Sequence, residues 1–233
     1  MKPKRIFLLL ISLGVFLPAA LSAQEQQTTD SLETREKYGI RLGVDISKPI
    51  RSFIEEEYQG IELKGDYRLY NDYYLAGEIG NEQNTISEVN VTAFAKGSYI
   101  KLGANYNTYH NWVGMQNMIY AGARYAFSTF TTELQEYSIY TIDSYFEPDI
   151  RLEQQEFNNL TASWVELQLG IQVEVLNNLF LGTHVELKRI VTQTRPSNFD
   201  NLYIPGFNRT FDGSYYGVGY GYSISYLIPF YKK

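Results

Sequence analysis

The chain contains no cysteine, and that absence closes several functional classes at once. A disulfide framework, a thiolate nucleophile, a Cys-ligated metal and a lipid-modified N-terminal Cys are all excluded. Histidine is scarce as well: His110 and His184 are the only two. Basic residues are in deficit, with 20 Lys and Arg against 26 Asp and Glu and a net charge of −6, which argues against nucleic acid as a partner. Past the N-terminal segment, no apolar run approaches the roughly 20 residues of a membrane-spanning helix. The mean hydropathy of −0.28 agrees. Phosphate loops and Cys/His metal spacings are missing, so no metal and no other cofactor is expected.

The first residues read as an export signal. Lys2, Lys4 and Arg5 precede an apolar stretch over residues 6–17, and Ala20, Ser22 and Ala23 supply small residues for cleavage. About a dozen apolar residues is too short for an anchor helix. The reading is a signal peptide over 1–23, a flexible lead-in over 24–37, and one β-domain over 38–233.

What the chain has in plenty is tyrosine, 21 of them, a residue of strands and membrane interfaces. The last segment shows how they are used. Tyr216, Val218, Tyr220, Tyr222, Ile224, Tyr226, Ile228 and Phe230 alternate with Gly217, Gly219, Gly221, Ser223, Ser225 and Leu227. Successive side chains of a strand face opposite sides, so one face is aromatic and the other small. Seven more segments alternate, beginning near residues 38, 61, 73, 99, 118, 164 and 179. Short turns (Asn71-Asp72, 110–116, Asn177-Asn178) alternate with longer polar stretches near 47–59, 81–95, 128–161 and 190–212. The fold class expected is all-β: an eight-stranded antiparallel up-and-down transmembrane barrel, with both termini periplasmic. A ten-stranded version would use residues 134–142 as an extra hairpin.

Side-chain size assigns the faces. An eight-stranded barrel is narrow and filled by side chains. The polar face carries most of the glycines among long charged residues, while the other is almost continuous Leu, Ile, Val and Tyr. The polar face is therefore expected inside. A soluble lipocalin-like binder, with the apolar face inside, is the opposite arrangement. The inward face would carry Arg41, Asp45, Glu62, Lys64, Asp66, Arg68, Glu78, Lys101, Arg124, Glu166, Glu174, His184, Glu186 and Lys188. Buried charges must pair, so these are expected to form a salt-bridge network that plugs the lumen. The alternative is a narrow porin-like path for small solutes.

Chemistry finds little purchase. His110 falls in a turn beside Trp112, and His184 shares its face with Glu186 and Lys188. Ser163 and Ser225 are hydroxyl candidates for a triad only in the weak sense that they lie on strands. An acidic run, Asp143, Glu147, Asp149, Glu153 and Glu156, lacks the spacing of a calcium loop and reads as a solvated face. No enzyme is expected; a membrane-embedded lipid or peptide hydrolase is the third reading. Residues 199–211 are too apolar to lie free in water. They read as a cap on the barrel mouth, or as a docking surface for a cell-surface protein or glycan with Tyr203, Phe207 and Arg209 as anchors.

Three motifs carry a resemblance: residues 96–103 (KGSYIKLG), 173–182 (VEVLNNLFLG) and 198–210 (NFDNLYIPGFNRT), with the ending ISYLIPFYKK. On these the chain resembles the Bacteroidota outer-membrane β-barrel families. More closely, it resembles a family within them defined by a domain of unknown function, the 6048 type. The resemblance implies a barrel in the outer membrane of a Gram-negative bacterium, with lipid and the barrel-insertion machinery as partners. Tyr226, Ile228 and Phe230 would form the insertion signal, although Lys232 and Lys233 follow the terminal aromatic. The family brings no activity or catalytic residue with it.

Overall fold

The computed structural model describes residues 37–109, 116–139, 149–152, 154–197, 199–211 and 213–232. The leader, most of the lead-in, His110, Trp112, Asp143, Glu147 and Glu153 lie outside the described residues.

The strands in chain order are β1 (Lys37–Asp45), β2 (Tyr58–Tyr70), β3 (Tyr73–Glu88), β4 (Val91–Asn107) and β5 (Met118–Ile139), then β6 (Asp149–Arg151), β7 (Gln155–Leu176) and β8 (Leu179–Gln193). Two short strands, β9 (Tyr203–Ile204) and β10 (Asn208–Arg209), precede the last, β11 (Tyr216–Lys232). One helix, α1 (Ser47–Ile54), joins β1 to β2. Each main strand pairs antiparallel with its neighbour, β4 with β5, and β1 with β11, which closes a ring of β1, β2, β3, β4, β5, β7, β8 and β11. Closure leaves most of the sheet without a free edge.

The ring has eight strands. Residues 134–139 continue β5 and add no hairpin to the ring; β6 pairs only with residues 137–139 of β5. The stretches 81–95 and 128–161 correct the loop assignment in part. β3 and β4 run on through residues 81–88 and 91–95, separated only by Val89 and Asn90, and β5 and β7 extend likewise. The extensions hid in the sequence because Asn81, Gln83, Thr85 and Thr131 are polar where the lower strand is apolar. Without apolar contrast, alternation carries no amphipathic signal.

Orientation is settled by exposure. Leu167 and Leu169 are 61% and 62% exposed, whereas Glu166 and Gln168, which alternate with them, are each 1% exposed. The apolar face is outward, opposite to a soluble ligand-binding barrel. The inward glycines make the room that the size argument requires. A Cβ on Gly170 would sit 2.5 Å from the Tyr120 ring, and one on Gly217 would sit 2.8 Å from the Phe207 ring.

The two ends differ. One end holds the Asn71-Asp72 and Asn177-Asn178 turns together with Lys37 and Lys232, which are register partners. The other holds α1, the Val89-Asn90 turn and the segment carrying β9 and β10. There the interior carries two apolar clusters around buried Glu82: Tyr99, Phe130, Leu160, Trp164, Ile190, Ile204 and Phe207 pack together, and Tyr58, Ile86, Ala95 and Tyr203 form the second.

Candidate functional site: a charged lumen under an aromatic cap

Strand register creates the charge pattern. Lys64, Glu78 and Lys101 are successive partners across β2, β3 and β4. Arg124, Glu166 and Lys188 are successive partners across β5, β7 and β8. Each row alternates in sign, the favourable arrangement for directly opposed residues. Folded into a ring, the rows meet at Lys101. Its Nζ lies 3.1 Å from Glu78, 3.3 Å from Glu186, 3.5 Å from Glu166 and 3.6 Å from Glu62. Lysine and carboxylates alike are almost wholly shielded from solvent.

Neighbours complete the network. Lys64 reaches Asp45 and Glu62 at 3.8 Å and the His184 ring at 3.2 Å. His184 lies 3.1 Å from Glu186, and Lys188 lies 2.8 Å from the same carboxylate. Arg124 approaches Glu78 at 3.5 Å and donates to Asn105 at 2.7 Å. Gln168 donates to Glu166 at 2.5 Å. The carboxylates of Glu78, Glu166 and Glu186 have the spacing of a metal cluster, but the Lys101 ammonium already supplies the cation among them. A cavity of about 40 Å³ lined by Arg41, Asp66, Glu78, Tyr120 and Arg124 has room for a few waters.

Not all the expected residues join this centre. Arg41 forms a separate two-bond pair with Asp66 at 2.8 and 2.9 Å, its guanidinium over the Phe180 ring. Glu174 accepts from the Asn178 amide at 2.8 Å and pairs with Lys37, at the turn end. Arg68 donates to the Asn71 carbonyl and sits over Tyr38. Ser163 bonds Thr192, and Gln172 donates to Ser225, both at 2.7 Å, so each hydroxyl has a partner other than His184. Of the acidic run, Asp149 and Glu156 lie on β6 and β7.

The key residue that sequence reasoning missed is Glu82. It continues the inward series Glu78, Gly80, Glu82 and is fully buried, but it falls in the stretch read as a loop. Glu82 accepts from Tyr203 at 2.7 Å, from the Gly206 amide at 2.8 Å and from Tyr58 at 3.1 Å, and it pairs with Lys48 of α1. Burial lowers the Lys48 pKa, but Glu82 and Glu62 outweigh it and hold the ammonium charged. Burial and Glu82 together push the Tyr203 hydroxyl well up, so it stays a donor.

The segment around β9 and β10 is thus a cap. Gly206 has a φ of +83°, a left-handed conformation that glycine adopts without steric cost, and it lies on the Tyr99 ring. Its amide is held by Glu82 and its carbonyl accepts from Lys188 at 2.8 Å. Phe207 meets Trp164 edge-on at 5.8 Å, and Trp164 donates to Glu166 at 3.3 Å. Tyr203 and Phe207 are 2% and 1% exposed. This corrects their assignment as docking anchors: apolar burial and the Glu82 bond draw them inward. Arg209 remains outside, paired with Glu88.

The family profile described as Domain of unknown function (DUF6048) matches residues 4–233. The chain belongs to the DUF6048 family. Among solved structures, Ail, the attachment invasion locus protein of Yersinia pestis, is similar at a TM-score of 0.39 and 10% identity, covering 83% of this chain and 98% of that one. So distant a likeness carries no argument, and the barrel of this DUF6048 chain rests on its own strand pairing. A search of the curated proteins finds no match.

Proposed function

We propose that this protein is an outer-membrane barrel of a Gram-negative, Bacteroidota-type bacterium, with a sealed lumen, serving as a structural or interaction protein at the cell surface and not as an enzyme. The observation that carries the reading is the pairing of an outward apolar face with an inward charge network closed on Lys101. An exposed apolar wall suits lipid. A lumen packed with paired charges and covered by the cap disfavours the small-solute channel. With the turns periplasmic, α1, the β3–β4 tip and the cap face the exterior. Tyr226, Ile228 and Phe230, all on the outer face of β11, are proposed as the signal read by the insertion machinery.

Since the chain lacks cysteine, single-cysteine variants report location without background. Val89→Cys, at a tip that is 95% exposed, is expected to react with a membrane-impermeant maleimide on intact cells. Asn177→Cys, in a turn at the other end, is expected to react only after the outer membrane is permeabilised. Labelling of Asn177→Cys but not Val89→Cys on intact cells would contradict the orientation, and equal protection of both would contradict surface display.

A further inference from the structure

Helix α1 is amphipathic the wrong way round for a helix in water. Lys48, Arg51 and Ser52 fall at i, i+3 and i+4 and face the barrel. Lys48 pairs with Glu82, Arg51 sits 3.9 Å from the centre of the Tyr58 ring, and Ser52 Oγ accepts from the Gly60 amide at 3.1 Å. The opposite side carries Ile50, Phe53 and Ile54, which are 49%, 92% and 56% exposed. Three anchors therefore fix the helix with its apolar side turned away from the protein.

Beside it lies a groove of about 510 Å³ lined by Pro49, Phe53, Ile61, Gln59, Asn81 and Gln83 among others. Ile61 is the top of the apolar face on β2, and its register partner on β3 is Asn81. The groove thus straddles the line where the outer wall changes from apolar to amide. It is continuous below with the wall that meets lipid in the reading above, and no charged residue lines it. A phosphate would find no cation there, whereas sugar hydroxyls would find the amides of Gln59, Asn81 and Gln83. Gln83 already donates to Gln59 at 3.0 Å, which holds both side chains in place and leaves other donor and acceptor positions free.

We infer that α1 lies in the outer leaflet and that the groove between α1 and β2–β3 binds a membrane glycolipid, with acyl chain along Phe53 and Ile61 and sugar on the amides. The inference rests on the membrane reading, so its test carries a control for that reading. Spin labels are placed on Ile54→Cys, on the outward side of α1 but outside the groove lining, on Val185→Cys midway along β8 and on Val89→Cys, each in phosphatidylcholine vesicles. The Ile54 and Val185 labels are expected to favour collision with oxygen over a water-soluble nickel chelate, and the Val89 label the reverse. Adding lipopolysaccharide to the bilayer is expected to immobilise the Ile54 label, and a Gln59→Ala/Gln83→Ala background to abolish that response. An Ile54 label in water while the Val185 label is in lipid overturns the inference and leaves the membrane reading standing. So does an Ile54 label that lipopolysaccharide leaves unmoved, or immobilises equally in the double-alanine background. A Val185 label in water overturns both.

Discussion

Replacing Lys101 with methionine is expected to destabilise the folded barrel by about 3–5 kcal/mol, the usual cost of removing one partner from a buried ion pair. The side chain keeps its length, so the loss reports charge. Glu62, Glu78, Glu166 and Glu186 all lie within 3.6 Å of the Lys101 ammonium. Without it, Glu166 keeps Gln168 and Trp164, and Glu186 keeps Lys188 and His184. Glu78 keeps Arg124, a 3.3 Å bond from Gln168 and a 4.0 Å contact with Lys64. Carboxylates brought together without a central cation repel one another, and all four are buried. Urea unfolding from lipid vesicles, followed by tryptophan fluorescence, measures the change. Adding Glu78→Gln to Lys101→Met is expected to recover part of the loss, because contacting charges are not additive. A loss below about 1 kcal/mol, the range of exposed pairs, would mean that Lys101 is hydrated.

Glu82→Ala is expected to cost about 3 kcal/mol, the lower end of the range for breaking a buried pair, because it removes the nearer carboxylate of the Lys48 ammonium and leaves it Glu62 at 3.7 Å. It also acts on the cap. The alanine removes the acceptor for Tyr203 and the Gly206 amide, leaving the Lys188 bond, the Asn201 bonds to Gln193 and Thr194, the Arg209–Glu88 pair and the Phe207–Trp164 contact to hold the segment. Trypsin cleavage after Arg195 and Arg209 should accelerate by one to two orders of magnitude, as expected when about 1–3 kcal/mol of local hydrogen bonding is lost. Glu82→Gln keeps acceptor oxygen for Tyr203 and Gly206 but discharges the Lys48 pair, so it is expected to fall between the wild type and the alanine variant. Unchanged proteolysis in Glu82→Ala would show that Glu82 is not the latch and that the remaining contacts hold the cap without it.

The barrel was legible in the sequence wherever its outer wall is apolar. Residues 165–175 alternate apolar against polar without a break, and the structure gives β7 there with the same inward set. Closure also followed, since lipid cannot satisfy an open sheet edge. Legibility ended where the outer wall turns polar, at Asn81 on β3 and Thr129 on β5, although both strands continue. Glu82 was lost with that stretch, and with it the latch of the cap. The charge network was legible as a set of inward residues because face follows from parity alone. Its partners were not: Lys101 meets Glu166 and Glu186 across the lumen, and strand alternation says nothing about what lies opposite inside a ring. Arg41, Arg68 and Glu174 share the face but sit nearer the turn end, so height along the barrel separates them from the Lys101 centre. The inverted face of α1 was unreadable for a different cause: a helix with cations inward is sensible only once the mouth holds Glu62 and Glu82.

The central claim is that the lumen is sealed by its own paired charges beneath the cap. Single-channel recording from purified wild-type protein in a planar lipid bilayer tests it most directly. A membrane shown to contain folded protein should pass no steady unitary current in either polarity; reproducible open-channel steps from the wild type would contradict the account.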